Sequence, residues 1–443
     1  MSNHPESTSE KHDGSPASAT DSIDNKGRSR SVHAIAAKGR LFRGLGGWAF
    51  EHKWEIFWGL LFAWVMARFV FPPPHDPYYI QVIERSKDDP NDDVTVKRLH
   101  QLAEQKWTLG DVPIELKIVQ LQEHTDSDRQ KEEAKQVAET LAHAKDTLIV
   151  IGDVPTGLTK QSLPIYMGAK PPVPYLSTTA SADGLCQQCP ATPFRPLLQV
   201  SPMNSNEAFS MLLWARQNQK SRCLVVTDQS PAAVDYATEL ANDLSNASSD
   251  ALKDVSVVHE YRIGNGPPPS EEEFQAWKAD CVLFAGNAGA ASTLWNLIRG
   301  RNMLTVFSDG VVNSHGGRGI TDLGSSYFTY AADVADVQNT VYVDDAVEIA
   351  TSLLQDLNRK GGNISYRLRS LLHVENVESA RDNLARIMEE NSKNRTYYHC
   401  SSNPDGLCIF SGNQRANGLF HVWQQDGKMK DVDGWHQPRH SVK

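Results

Sequence analysis

Residues 114–307 read as an α/β protein built on parallel sheets, and three observations carry that reading. Strand-like apolar runs alternate with helix-like stretches along the whole span. Such alternation calls for parallel strands with helices on both faces. The strands are too many for one small sheet, and a break at residues 186–196 divides them into two groups. One long apolar segment, residues 54–71, precedes everything else.

Each element follows from its local pattern. Residues 114–121 (IELKIVQL) form a β candidate, and 129–144 a helix with Ala134, Val137, Ala138 and Leu141 on one face. Residues 147–151 (TLIVI) make an unbroken run that suits a strand buried on both sides. A helix at 162–167 and a strand at 173–176 follow. The pattern resumes with helix 207–217, strand 222–227, helix 232–244, strand 255–261, helix 271–278, strand 281–285, helix 291–299 and strand 303–307. Beyond this series, 344–357 and 378–388 are helical, and 407–410 with 419–424 read as a hairpin around Gly412-Asn413-Gln414. Residues 78–84 (YYIQVIE) are the candidate first strand, and the acidic run 88–93 after them reads as a solvated loop.

The apolar segment opens on Trp54 and closes on Phe71, with Pro72, Pro73 and Pro74 directly after it. A membrane span needs about 20 apolar residues, so its length is marginal. Arg68 can snorkel to the headgroups, and Trp48, Trp54, Trp58 and Trp64 suit an interface. Lys26, Arg28, Arg30, Lys38, Arg40, Arg43 and Lys53 precede it, and no Lys or Arg follows Arg68 until Arg85. The positive-inside rule then places the N-terminus in the cytoplasm and the body outside an inner cell membrane, crossed once. A buried core helix and a cleaved signal peptide are the rivals. Against the latter, the preceding segment is long and no A-x-A pattern follows.

The first stretch is polar and poor in large apolar residues, so residues 1–47 are expected to be a disordered, basic, cytoplasmic tail. A net charge of −10 and the lack of a basic stripe argue against nucleic acid. The six cysteines fall into three kinds. Cys186-Gln-Gln-Cys189 lies in a loop, so it does not open a helix as a redox motif should. Two further zinc ligands are not nearby, and outside the cell a small-loop disulfide is the better reading. Cys400 and Cys408 flank the turn Asn403-Pro404-Asp405-Gly406 and are expected to be bonded. Cys223 and Cys281 each open an apolar run and read as inert buried thiols.

Four phrases, in order, carry a resemblance to a known family. They are Ile149-Val150-Ile151-Gly152-Asp153, Pro174-Tyr175-Leu176-Ser177-Thr178-Thr179-Ala180-Ser181, Leu198-Gln199-Val200-Ser201-Pro202-Met203-Asn204, and Phe410-Ser411-Gly412 to Gly418 with Asp426-Gly427. Over roughly residues 112–427 the chain resembles the type I periplasmic-binding-protein fold, specifically the branched-chain amino-acid, leucine-binding-like receptors. The resemblance implies two Rossmann-like lobes joined by three crossovers around a central ligand cleft. It assigns 77–197 to lobe I, 198–310 to lobe II, 311–396 to the return into lobe I and 397–431 to a terminal hairpin of lobe II; the apolar run and its flanks make 48–74 a transmembrane signal anchor, and 432–443 is left as a tail. The glycine-rich segment that the family carries after its first strand is missing.

In that family, loops matching Thr156 and Ser177 to Ser181 hold an amino-acid carboxylate with hydroxyls and N–H groups at helix N-termini, a sound anion site. The alternative is that Thr156, Ser177, Thr179 and Ser181 only cap helices. Lobe II departs from the family. Asp228-Gln229-Ser230-Pro231 replaces a Tyr-Gly pair, and Gly286-Asn287-Ala288-Gly289-Ala290 lacks the usual carboxylate. Asp228, Asn287 and Asp309 remain as candidate partners for a ligand ammonium. The loop 286–291 follows a strand and opens a helix, but its glycine spacing fails the dinucleotide fingerprint, so no cofactor is expected. His315 in the turn-rich loop 314–319 reads as a surface histidine. No nucleophile–base set or metal-ligand cluster is visible, so no catalytic residue and no metal is assigned. The expected function is capture of a small amino-acid-like or anionic ligand for transport or sensing, in complex with a transporter or sensor. The alternative is a ligand-free scaffold or partner-binding ectodomain on the same fold.

Overall fold

The computed structural model describes residues 53–70, 76–85, 94–109, 112–122, 124, 126–191, 195–231, 233–250, 252–264, 267–313, 323, 326–330, 341–361, 377–393, 397–400, 407–411, 414–415, 420–425 and 429–431. The expected tails, the loops 88–93 and 314–319, and the turns at 403–406, 412–413 and 426–427 lie outside them. The chain divides into two units, residues 1–73 and 74–443.

The first unit contributes one helix, α1 (Lys53–Val70). Its side chains at Trp54, Phe57, Trp58, Leu60, Phe62 and Trp64 are exposed. Among the described residues no helix is long and apolar enough to cross a membrane. The expected transmembrane helix is therefore not shown. The reason is visible in the 18 residues themselves, which include Lys53, Glu55 and Arg68 and extend only about 27 Å at 1.5 Å per residue.

The second unit opens with β1 (Tyr78–Arg85), α2 (Val94–Ala103), β2 (Trp107–Leu109), β3 (Val112–Leu121), α3 (Ser127–His143), β4 (Thr147–Asp153), α4 (Thr156–Gly168), β5 (Tyr175–Ser177) and β6 (Leu197–Gln199). It continues with α5 (Asn204–Gln217), β7 (Arg222–Asp228), α6 (Val234–Asp250), β8 (Ser256–Ile263), α7 (Glu271–Trp277), β9 (Cys281–Ala285), α8 (Ala288–Ile298), β10 (Leu304–Phe307), α9 (Asp309–Asn313) and β11 (Tyr327–Tyr330). It closes with α10 (Val341–Gly361), α11 (Val377–Lys393), β12 (Tyr397–His399), β13 (Leu407–Ser411), β14 (Gln414–Arg415), β15 (His421–Gln425) and β16 (Met429–Asp431).

Two sheets result. The first runs β12-β13-β14-β6-β5-β4-β1-β3-β2 and the second β16-β15-β11-β10-β9-β7-β8. Their central strands are parallel: β1 pairs with β3 and β4, and β7 with β8 and β9. Leu148 to Ile151 are fully buried, as a strand covered on both faces requires. Helix α3 starts at Asp126, whose carboxylate accepts the Asp128 N–H at 3.0 Å, and buries Ala134, Ala138 and Leu141 on one stripe. Its far end is closed from α11. The buried guanidinium of Arg381 donates to the carbonyls of Ala142 and Ala144, both at 2.9 Å, and to Thr147 at 2.7 Å. A cation there satisfies orphan carbonyls and opposes the negative end of the helix dipole.

Several boundaries differ from the sequence reading. Helix α4 begins at Thr156, six residues earlier than expected, and carries Pro164 inside it. Helix α2 and the short β2 were not anticipated. Residues 327–330 were placed in the return to the first lobe, yet β11 pairs with β10 and β15 in the second sheet. The sequence reads residues 397–431 as one hairpin of lobe II. Instead β12, β13 and β14 extend the first sheet, whereas β15 and β16 extend the second. The chain thus passes between sheets after β6, after β11 and after β14. Period-two patterning marks a strand but does not name its neighbour, and that is why these assignments moved.

All six cysteines are bonded, as Cys186–Cys189, Cys223–Cys281 and Cys400–Cys408. The reading of Cys223 and Cys281 as thiols is corrected. They are direct partners in the β7–β9 ladder, with Cα atoms 4.6 Å apart. Paired residues of neighbouring strands point to the same face, which brings the sulfurs together.

Candidate functional site

The carboxyl ends of the central strands of both sheets meet at a small cavity, as open α/β sheets place their ligands. Its volume is about 30 Å³, and it is lined by Ser127, Gln130, Lys131, Thr156 and Gly157 from one lobe and by Pro231, Asp235 and Tyr236 from the other. That is room for roughly one or two waters. Two ion pairs bridge the lobes beside the cavity. Lys131 of α3 lies 3.5 Å from Asp235 of α6. Lys160 of α4 forms an ion pair with Glu239 of α6. Burial lowers the pKa of Lys160, and the charge of Asp235 opposes that shift. A Cβ on Gly157 would lie 2.2 Å from Asp235 Oδ2, so only glycine admits the carboxylate this close to the start of α4. One wall is therefore cationic and the other acidic.

Behind the acidic wall lies a buried hydrogen-bond chain. Glu207, in the first turn of α5, is fully buried. Its Oε1 accepts the Asp309 N–H at 2.8 Å and the Thr329 hydroxyl at 2.6 Å. The Tyr236 hydroxyl stands 2.9 Å from Glu207 Oε2 and 2.6 Å from Asp309 Oδ1. One phenol proton cannot serve two carboxylates. Burial first, and the charge of Asp309 second, hold the Glu207 carboxyl well above its ordinary range. The consistent arrangement has neutral Glu207 donating to Tyr236, which donates to Asp309. The same burial and the two acids push the Tyr236 phenol up.

The residues singled out from sequence fall in two groups. Thr156 lines the cavity, and Asp309 reaches it through Tyr236. The others bond within their own lobe. The Ser177 hydroxyl donates to the Ala180 carbonyl at 3.4 Å and Thr179 to Val154 at 2.9 Å. Ser181 is buried, and its carbonyl accepts the Asn204 N–H at 2.8 Å. Asp228 accepts the N–H groups of Ser230 at 2.8 Å and Asn287 at 3.1 Å, which ties the loop after β7 to the start of α8. A Cβ on Gly286 would sit 2.3 Å from Asp228 Cβ. The glycine of the rejected dinucleotide loop thus admits a neighbouring side chain. Asn287 precedes α8 without a side-chain cap bond.

Sequence reasoning missed Glu207, Lys131, Lys160, Asp235, Tyr236 and Glu239. All sit on helices, where a charged residue reads as a solvated face. Among the described residues one group has metal-ligand chemistry within reach, Asp345 with Cys400 and Cys408. Its sulfurs are consumed by the disulfide.

No family model matches the chain, and no curated protein matches it in sequence. Solved structures do match. A leucine-binding protein, LivK, of Thermotoga maritima superposes with TM-score 0.59 at 18% identity, covering 80% of this chain and 97% of its own. A substrate-binding protein of an ABC transporter from Desulfitobacterium hafniense, in complex with leucine, gives 0.56 at 12% identity, covering 81% and 100%. A solute-binding protein of Rhodopseudomonas palustris, in complex with 3,4-dihydroxybenzoic acid, gives 0.56 at 12%, covering 81% and 96%. The fold is that of the type I periplasmic-binding proteins. At these identities the likeness settles architecture alone.

Proposed function

We propose that the chain is a non-catalytic receptor that captures a small zwitterionic or anionic solute between its lobes. The observation that carries this reading is the charge asymmetry of the cavity. Lys131 stands with the α4 start on one wall, and Lys160 of α4 reaches across the lobes beside it to Glu239. Asp235 and the Tyr236 hydroxyl, backed by Glu207 and Asp309, stand on the other wall. A carboxylate would turn to the first wall and an ammonium to the second, with Ser177, Thr179, Ser181, Asp228 and Asn287 shaping the loops around them. Ligand entry requires the lobes to part about the three crossovers, the ligand's charges replacing the two interlobe ion pairs. The first lobe takes the strands β1–β6 and β12–β14, and the second β7–β11 with β15 and β16. The neighbours named for amino acids and aromatic acids support the ligand class, and those named for ABC transporters support delivery to a transporter or sensor.

A second reading has one observation in its favour. The cavity between the lobes has room for only one or two waters, as in a ligand-free scaffold. A thermal-shift screen of amino acids, small carboxylates and aromatic acids separates the two. A ligand at a hundred times its dissociation constant adds roughly 2.7 kcal/mol of stability. Lys131→Ala should then weaken that ligand about tenfold or more, as loss of a charged hydrogen bond does. If no compound moves the transition, the scaffold reading stands.

The body is assigned outside the cytoplasm and the helix α1 to a single-pass tether. Bonding of every cysteine fits an oxidising compartment. The exposed Trp54, Phe57, Trp58, Leu60, Phe62 and Trp64 call for an apolar cover, and Phe71 lengthens the run. In intact cells an impermeant thiol reagent should label Ser86→Cys and spare Ser31→Cys. Labelling of position 31 would remove the topology.

A further inference from the structure

Three of the four sheet edges are short. The first sheet ends on β12 and β2 and the second on β16, each of three residues. The fourth edge is β8, eight residues long, and among the described residues no strand pairs with its outer side. In the first sheet β3 occupies the corresponding place, and it is covered there by antiparallel β2 through Trp107↔Ile114, Thr108↔Pro113 and Leu109↔Val112. A long open edge is a template for another chain, and short edge strands are one way proteins avoid it.

The phase of β8 can be read from its inner bonds. The Ile263 carbonyl accepts the Gln229 N–H at 3.1 Å, so the peptide groups of Ile263 face β7. Groups alternate along a strand. Those of Tyr261 therefore face β7 too, and those of Glu260 and Arg262 face the open edge. The side chains of Glu260 and Arg262 are exposed and paired with each other at 3.0 Å on one face. On the other face Tyr261 lies beside Trp277, on which His259 is stacked at 4.5 Å between ring centroids.

We infer that β8 pairs antiparallel with the same strand of a second copy of this chain, about a two-fold axis at Tyr261. Glu260 then lies opposite Arg262 of the partner subunit, and Arg262 opposite Glu260 of the partner subunit. Both are positions whose N–H and C=O groups point outward, so each pair exchanges two backbone hydrogen bonds. Tyr261 meets Tyr261 of the partner subunit as the closer, non-hydrogen-bonded kind of pair. Charge complementarity selects this occupant and this register. A shift by two residues either way sets Glu260 against Glu260 or Arg262 against Arg262, and like charges directly opposite destabilise. A shift by one turns every side chain to the wrong face. The regular part of the strand is His259–Ile263, beyond a bulge at Val258 where the pairing with β7 shifts from Cys223↔Val257 to Leu224↔His259, and its exposed charges alternate in sign.

Sedimentation of the full chain in detergent, over a wide range of protein concentration, tests the pairing. The wild type should dimerise. Glu260→Arg and Arg262→Glu should each weaken association roughly tenfold by placing like charges opposite one another. The double variant Glu260→Arg with Arg262→Glu should restore it, with unchanged melting as the control for folding. In the wild type, amide exchange at Glu260 and Arg262 should slow as concentration rises, a readout that needs no variant. A wild type that stays monomeric, single variants that associate like the wild type, or a double variant that fails to recover would each overturn the inference.

Discussion

The two lobes share a parallel, doubly wound plan and differ at the ends of their strands. In the first, the hydroxyls of Ser177, Thr178 and Thr179 turn back onto carbonyls of Ala180, Gly152 and Val154. Those loops are internally complete, and the charge at the crevice comes from helices, through Lys131 and Lys160. In the second, a fully buried glutamate, a tyrosine and an aspartate form one proton-sharing chain under the crevice. The cores differ as well. Adjacent strands of the second sheet are covalently joined at Cys223–Cys281. In the first lobe one disulfide closes the loop of Cys186–Cys189, and Cys400–Cys408 ties the end of β12 to β13 at the edge of the sheet, away from its centre. The difference teaches that equal topology does not distribute polarity equally. One lobe holds its loops by neutral hydrogen bonds, and the other stores acid beneath its surface.

The largest expected effect tests the covalent difference. Cys223→Ala with Cys281→Ala removes a bond across 58 residues, worth about 4 kcal/mol by chain entropy. Amide exchange should then rise across β7, β8 and β9 and stay unchanged across β1, β3 and β4. Equal loosening of both lobes would show that the cores unfold as one and erase the distinction.

A smaller effect tests the acid chain. The Glu207 carboxyl is raised above its ordinary 4.5 by burial and then by Asp309. Its folded form therefore holds a proton more tightly than its unfolded form. That stability is complete below pH 4.5 and is lost as pH climbs through the raised folded value. Glu207→Gln copies the neutral acid: its carbonyl keeps Asp309 N–H and Thr329, and its amide donates to Tyr236. The variant should melt like the wild type in acid and gain on the order of 1 kcal/mol over it above neutral pH. Parallel pH profiles for the two proteins would show that Glu207 stays ionised in the fold.

What could be read in advance followed physical locality. Strands such as 147–151 and 281–285 announce themselves because burial on both faces demands an unbroken apolar run. Helices such as α3 and α11 announce themselves through an apolar stripe and flanking polar residues. Thr156 was legible as a strand-end residue near a helix start, and Asp309 likewise. The acid chain was not, because Glu207 and Tyr236 are 29 positions apart and Glu207 and Asp309 are 102 apart. A glutamate in a first helical turn reads as a partner for the helix dipole, whichever way it faces.

The sequence by itself determined the alternation of strands and helices over 114–307 and the buried strands within it, such as 147–151 and 281–285. Each of those depends on neighbours within about one turn or one pleat, where side-chain period and backbone geometry are coupled. Only the tertiary structure decided which strands pair. It sent 397–415 to one sheet and 421–431 to the other, and it bonded Cys223 to Cys281. It also turned Asp228 inward as a clamp and brought Asp235 against Gly157. Those outcomes rest on register between segments far apart in the chain, and local propensity carries no information about which of several well-formed strands lies next to which.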